Sequence, residues 1–212
     1  MRSEALLLAL LLAAPAARGA SPPSSPQGDP APEIVDRILA VVNERPLLLS
    51  TVRTVEMVRG LERGAALEAA IDERLMFQEA ARLSQAQVTV AEGDQALESL
   101  RKRRPEIGAS VPEPALRRLL RRQMVILKYV EFRFRPQIRI SEDSLRQAWN
   151  DDYRGQPEGP AFEEVMPELR ERLERQELDR RIEDWVRDLR QRAEVRYVAG
   201  PGSPPRPEPA GP

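Results

Sequence analysis

Apolar residues recur every three or four positions through most of this chain, the spacing of helices that bury one face. The segment Ala65–Leu83 has apolar side chains on two flanks, which predicts a central helix. A second stripe runs through Ser110–Phe134, and a third runs from Leu169 to Ala193. We therefore predict a mostly α fold.

Polar residues that can satisfy free backbone N–H groups mark the expected helix starts. Thr89 and Glu92 have the spacing of a capping box, and the helix that they open should end before Pro105. Gly60 and Gly64 should end the helix before Ala65. Further starts are expected at Ser50, at Ser110 with Glu113, at Ser141 for a short helix through Trp149, and at a first-turn Pro167 for a helix to about Arg192.

Two short β-rich stretches flank a turn near the start of the foldable region. Ile34–Val42 is apolar and β-branched, Asn43–Pro46 has turn chemistry, and Leu47–Leu49 is a second short strand. Pro46 lacks a backbone donor, which predicts an edge position for that strand. Glu194–Val198 is a strand signal that stands alone, so we expect it to pair with this small N-terminal β-hairpin and bring the two ends of the fold together.

The first 19 residues are typical of a secretory signal peptide. An apolar block, Ala5–Ala14, follows Arg2, and small residues suited to cleavage occupy 14–16 and 17–19. A block of this length is too short to cross a bilayer, which takes about 20 residues. We expect an exported product without stable membrane insertion, with an uncleaved anchor as the less favoured reading.

Proline, glycine and serine dominate the two segments outside the core. Residues 20–32 are expected to be a flexible linker and residues 199–212 a disordered Pro-rich tail. The foldable part is then 33–198, long enough for one helical core.

The composition removes many enzyme chemistries. The chain has no His and no Cys, which excludes disulfides, thiolate nucleophiles, His general bases and His/Cys zinc sites. No Gly-rich phosphate loop is present, and adjacent carboxylates such as Glu163 and Glu164 diverge on a helix. We therefore expect no catalytic residues, no cofactor and no metal.

Charge is segregated along a chain whose net charge is only −1. Arg101–Arg139 has twelve Lys or Arg against three Asp or Glu, whereas Ser141–Glu194 has ten against sixteen. The basic segment either attracts acidic partners or is a solvated face partly neutralised by the acidic C-terminal helix. Basic residues without interleaved aromatics argue against nucleic-acid binding.

Tyr129, Phe132 and Phe134 form the densest aromatic group in a chain with 4% aromatic residues. Side chains two positions apart on a helix cannot face the same way, so either Phe132 or Phe134 should leave the core. These three residues are the candidate peptide-contact residues, in a groove expected between the Ser110–Phe134 helix and the N-terminal helices.

Four motifs in order resemble one protein family. VVNERPLLLS (Val41–Ser50) resembles the opening of SurA-type periplasmic chaperones, and AAIDERLMFQEAARL (Ala69–Leu83) is similar to the helix that follows. ISEDSLRQAW (Ile140–Trp149) is similar to the family's short helix. FEEVMPELRERL together with DWVRDLRQRAEVRYV is similar to its C-terminal helix and closing strand.

The resemblance implies a helical chaperone core that holds unfolded exported or outer-membrane polypeptides. Many relatives carry parvulin prolyl-isomerase domains after the short helix, where this chain has six residues, Gly155–Pro160. A domain takes about 50 residues or more, so isomerase activity is not expected. The alternatives are a structural partner subunit of an envelope complex and an inactive accessory of a prolyl isomerase. The sequence leaves the oligomeric state open.

Overall fold

A small antiparallel sheet joins the two ends of the helical core. The computed structural model describes residues 36–154 and 159–198. The predicted signal peptide, linker and Pro-rich tail lie outside these residues. In the described residues the chain forms seven helices and three strands, so the mostly α prediction is confirmed.

The sheet has the order β2-β1-β3, with β1 at Ile38–Val42, β2 at Arg45–Leu48 and β3 at Val195–Tyr197. β3 pairs antiparallel with β1, with Val41 opposite Arg196. The predicted pairing of the last strand with the hairpin is therefore confirmed. Pro46 lies in the edge strand β2, as its missing donor requires.

The hairpin turn places two residues in the left-handed region, Asn43 at φ 47° and Glu44 at φ 66°. Positive φ at both central positions is the requirement of a tight hairpin turn, and asparagine tolerates it well. Asn43 also donates from its backbone N–H to the carbonyl of Glu194, while its Oδ1 accepts from the Glu194 N–H. The turn thus holds the start of β3.

The helices follow the predicted order, with one addition. A short helix that begins at Pro105 was not predicted, and two single 3₁₀ turns lie at Ser84–Ala86 and Arg135–Gln137. The helices are α1 Leu49–Arg59, α2 Arg63–Ala80, α3 Val90–Arg103, α4 Pro105–Ser110, α5 Glu113–Arg133, α6 Glu142–Tyr153 and α7 Phe162–Arg192.

Two of the predicted caps are confirmed. Thr89 and Glu92 form a capping box at the start of α3, in which Thr89 Oγ1 accepts from the Glu92 N–H at 3.3 Å. Ser141 Oγ accepts from the Ser144 N–H at 3.1 Å and caps α6, which continues past Trp149.

The predicted capping box of Ser110 with Glu113 is wrong. Ser110 is the last residue of α4, and its hydroxyl donates back to the Glu106 carbonyl at 2.7 Å. The helix α5 begins after Pro112. A serine hydroxyl can donate to a carbonyl of the preceding helical turn as well as accept from an N–H of the following one. Because Ser110 ends α4, its hydroxyl bonds to the preceding turn.

Three other predicted starts are displaced. Ser50 lies inside α1, which begins after Leu48. The helix expected from Ala65 begins at Arg63 and includes Gly64. Pro167 lies inside α7, because that helix begins five residues earlier.

The helix α2 lies at the centre, as its two apolar flanks predict. Ala70, Ile71 and Leu75 are buried, and α2 contacts α1, α5, α7 and β1. A helix covered on several sides needs apolar residues on more than one stripe, which the sequence supplies.

α6 and the first half of α7 form a helical hairpin beside this core. Leu145 and Leu169 are buried but do not belong to the main apolar cluster, which α7 joins through Leu178, Trp185 and Leu189. Among the described residues no helix is both long enough and apolar enough to cross a bilayer.

Candidate functional site

Two of the three candidate aromatic residues, Tyr129 and Phe134, pack on the indole of Trp185. Tyr129 stacks on Trp185 of α7, with ring centroids 4.8 Å apart and planes 16° from parallel. Phe134 meets the same indole edge-on at 5.5 Å. These contacts hold the end of α5 against α7, so both rings are engaged in packing.

Phe132 is the member of the group that faces solvent. It is 54% exposed, near the C-terminal end of α5, while Phe134 is half-buried. An exposed phenylalanine on the described surface is a contact that an apolar partner can use, but by itself it forms no pocket.

A groove of about 570 Å³ lies at the opposite end of α5. It is bounded by Asp36 and Arg37 before β1, by α1, by Arg63 and by the first turns of α5. The sequence predicts a groove between these elements, but with Tyr129, Phe132 and Phe134 as its contact residues. Arg122 is the last lining residue of α5, and Phe132 lies ten residues further on, about 15 Å along the helix axis.

Apolar and cationic side chains share the lining of the groove. Met57, on the exposed side of α1, is 44% exposed, and Leu49 at the start of the same helix also lines the groove. Pro112, Pro114 and Ala115 supply apolar surface on the α5 side. The cationic lining residues are Arg37, Arg53, Arg63, Arg118 and Arg122.

Asp36 is the carboxylate of the groove, and it is already engaged. It accepts hydrogen bonds from the backbone N–H and the hydroxyl of Ser50, where α1 has no cap from its own flanking residue. Desolvation pushes its pKa upward, but the two bonds from Ser50 and the nearby Arg53 hold the pKa of Asp36 below its ordinary value. Asp36 therefore stabilises the start of α1.

Three of the groove arginines form no ion pair among the described residues. Within residues 36–154 and 159–198, no carboxylate lies within ion-pair distance of Arg37, Arg53 or Arg118. The Nε of Arg37 is shielded from solvent and has no hydrogen-bond partner among those residues. Arg63, by contrast, pairs with Glu56 at 2.9 Å.

The fifth arginine of the groove, Arg122, is held by a carboxylate beneath the groove. Its Nε donates to Glu73 of α2 at 2.6 Å, and Glu73 is 2% exposed. Arg59 of α1 approaches the other oxygen of Glu73 at 3.5 Å. One buried carboxylate thus ties α1, α2 and α5 together under the groove.

The sequence does not single out the groove arginines of α5, because other arginines of the same helix have the same spacing. Arg117, Arg118, Arg121 and Arg122 read as one charged face of α5. In the structure Arg117 pairs with Asp94 and Glu113, and Arg122 turns inward. The available signal was the three-residue offset of Arg118 from the apolar Ala115, and this offset does not distinguish a groove from open solvent.

Several cations of the basic segment pair with carboxylates of the helical core. Lys128 pairs with Glu92 of α3, and Arg101 pairs with Glu113 of α5. Many acidic residues of α7 instead pair along their own helix, as Glu177 does with Arg180 and Arg181. Hydrogen bonds from these two guanidinium groups lower the pKa of Glu177 to about 2.

No protein-family profile matches this chain, and no curated protein matches it. Within the described residues no group of three or more His, Cys, Asp or Glu side chains is placed to hold a metal ion. The groove and the exposed Phe132 are therefore the surfaces on which a functional proposal can be built.

Proposed function

We propose that this protein is a periplasmic holdase chaperone that binds unfolded exported or outer-membrane polypeptides without catalysing prolyl isomerisation. The observation that carries the proposal is the open groove between α1 and α5, in which Met57 and Leu49 lie beside unpaired arginines. A holdase needs accessible apolar surface and no reactive group. The four motifs that resemble SurA-type chaperones favour the same function.

The test is suppression of aggregation. An unfolded outer-membrane protein is diluted from denaturant with and without the protein purified after expression of the full chain, and light scattering is followed. We expect scattering to fall as the protein is added. The chaperone proposal fails if the protein does not suppress aggregation and also does not bind peptides at tens of micromolar, about −6 kcal/mol.

Two matched substitutions locate the client surface. Met57→Ser removes an exposed apolar side chain from the groove, and Val90→Ser removes one that is 81% exposed on α3, away from the groove. We expect Met57→Ser to weaken suppression while Val90→Ser leaves it unchanged. Equal behaviour of the two variants would remove the groove from the proposal.

A second candidate is a structural subunit of an envelope complex, and the α6–α7 hairpin favours it. This hairpin has buried residues of its own, Leu145 and Leu169, outside the main cluster and can present a separate surface to a fixed partner. A single stoichiometric partner on affinity purification, without suppression of aggregation, would support this reading.

The third reading is an inactive accessory of a prolyl isomerase, and the catalytic activity that such an accessory lacks has a direct assay. Between Tyr153 and Phe162 the chain has eight residues, too few for a folded domain. We expect prolyl exchange in a short peptide to keep its uncatalysed time of tens of seconds or longer when the protein is added.

A further inference from the structure

We propose that the groove selects acidic segments of polypeptide clients, with Arg53 and Arg118 pairing with client carboxylates while apolar neighbours pack on Met57. This inference rests on the proposed function and names the client chemistry that the groove prefers. The carrying observation is the charge of the lining, which combines five arginines with one aspartate.

Only part of that positive charge is available to a client. Glu73 already binds Arg122, and Glu56 already binds Arg63. Asp36 is occupied by Ser50 at the start of α1. Arg53 and Arg118 remain, both exposed and on opposite sides of the groove, with Arg37 beside them.

The position of these two arginines favours an extended chain between them. Arg53 belongs to α1 and Arg118 to α5, so their guanidinium groups reach the groove from different helices. A planar guanidinium can bind a carboxylate through two parallel hydrogen bonds. Acidic side chains of a peptide lying in the groove can therefore pair on both sides while its apolar side chains cover Met57.

The lining argues for a peptide over the other anionic classes. None of the described lining residues is aromatic, so bases of a nucleic acid would find no stacking surface. The free cations line a concave groove, whereas binding to an anionic bilayer needs cations on a flat or convex face. A concave mixture of apolar and cationic groups fits an acidic, partly apolar peptide.

The experiment compares three labelled peptides that share the same aromatic and apolar residues. Their intervening positions are all Glu, all Gln or all Lys, and binding is measured by fluorescence anisotropy. We expect the Glu peptide to bind about tenfold more tightly than the Gln peptide at low salt, with the Lys peptide weakest. The preference should shrink at physiological ionic strength, where the screening length falls to about 8 Å.

Two charge reversals on α5 provide a matched pair. Arg118→Glu should abolish the preference for the Glu peptide and leave the affinity for the Gln peptide nearly unchanged. Arg133→Glu reverses an exposed charge on the same helix 15 residues away, outside the groove lining, and should leave the preference intact. Thermal unfolding of both variants checks that they fold.

The outcomes separate this inference from the proposed function. Equal binding of the Glu and Gln peptides overturns the acidic preference and leaves the holdase proposal standing. Failure of all three peptides to bind at tens of micromolar overturns this inference, and it overturns the holdase proposal as well when aggregation is not suppressed either.

Other occupants of the groove give their own results. Binding to vesicles of anionic phospholipid that Arg118→Glu abolishes, without binding of the Glu peptide, assigns the groove to a lipid surface. Self-association that Arg118→Glu abolishes assigns it to a second copy of the chain. Either result overturns the inference.

Discussion

Arg122 of α5 and Glu73 of α2 form a buried ion pair, in which the arginine Nε lies 2.6 Å from the Glu73 carboxylate. Glu73 is only 2% exposed. Arg59 of α1 reaches the other oxygen of the same carboxylate at 3.5 Å. The pair fixes the distance between the two walls of the groove. It also holds the Arg122 guanidinium while Arg118, one turn earlier, stays free.

The first prediction concerns this carboxylate. Glu73→Gln leaves two largely buried guanidinium groups without a counter-charge, so we expect the free energy of unfolding to fall by about 3–5 kcal/mol. Glu79→Gln is the matched control on the same helix, because Glu79 pairs with an arginine that is 79% exposed. The control should cost about 1 kcal/mol or less. Denaturant unfolding measures both, and equal losses would contradict the structural role of Glu73.

The second prediction concerns alkaline stability. Burial, and then the hydrogen bond that its hydroxyl donates to Glu68 at 2.9 Å, raise the pKa of Tyr197 to about 12. The folded protein therefore holds this proton more tightly than the unfolded chain, whose tyrosines titrate near 10. The extra stability is complete below about pH 10 and is lost as the pH rises to about 12.

The Tyr197→Phe variant isolates this effect. A shift of two pH units corresponds to about 2.7 kcal/mol, and partial exposure of the ring reduces the expected effect to about 1–2 kcal/mol. We expect the wild-type protein to lose that much more stability than Tyr197→Phe between pH 9 and pH 12. Parallel unfolding curves for the two proteins over this range would refute the prediction.

The third prediction concerns closure of the fold by β3. Deleting residues 194–212 removes the partner of Asn43 and uncovers the edge of β1, so we expect a loss of about 2–4 kcal/mol. Deleting residues 199–212 leaves β3 in place and is the control. Unchanged thermal stability after the longer deletion would show that β3 does not hold the fold together.

The fourth prediction separates the candidate aromatic residues. Phe134→Ala removes a ring that packs on Trp185 and should lower stability by about 2–3 kcal/mol. Tyr129→Ala, whose ring stacks on the same indole, should act in the same direction. Phe132→Ala should change stability by about 0.5 kcal/mol or less, because this side chain is 54% exposed. If Phe132 contacts clients, its removal lowers client affinity without lowering the melting temperature, and unchanged affinity assigns it no role in binding.

The fifth prediction concerns export. The apolar block followed by small residues should direct removal of the first 16–19 residues. N-terminal sequencing of the periplasmic form reads the cleavage position. An intact Met1 in a membrane fraction would contradict this prediction.

The elements of the fold were predictable because their signals are local. Apolar stripes repeat at the helical period, and the Thr89 capping box involves residues three apart. The pairing of β3 with the hairpin followed from a different argument, since an isolated strand must satisfy its backbone groups somewhere. Predicted element boundaries were wrong where a side chain can form either of two local hydrogen bonds. Ser110 is the example, because its hydroxyl bonds to the preceding helix and does not cap the following one.

For the aromatic candidates, the sequence spacing showed that one phenylalanine must leave the core but not which one. Phe132 and Phe134 are two positions apart, so one of them had to leave the core. The position of Trp185, about fifty residues further along the chain, decides that Phe134 packs and Phe132 is exposed.

The amino-acid sequence by itself determined a mostly helical chain whose ends meet in a small sheet, because periodicity, caps and unpaired strands are properties of neighbouring residues. The tertiary structure alone decided which arginines are free to bind a partner. Arg118 and Arg122 are equivalent in sequence, but Glu73, 49 residues before Arg122, neutralises one and leaves the other exposed in the groove. A cation is free to bind a partner unless folding brings a carboxylate within a few ångströms of it. The distance in space between cation and carboxylate is independent of their separation along the chain.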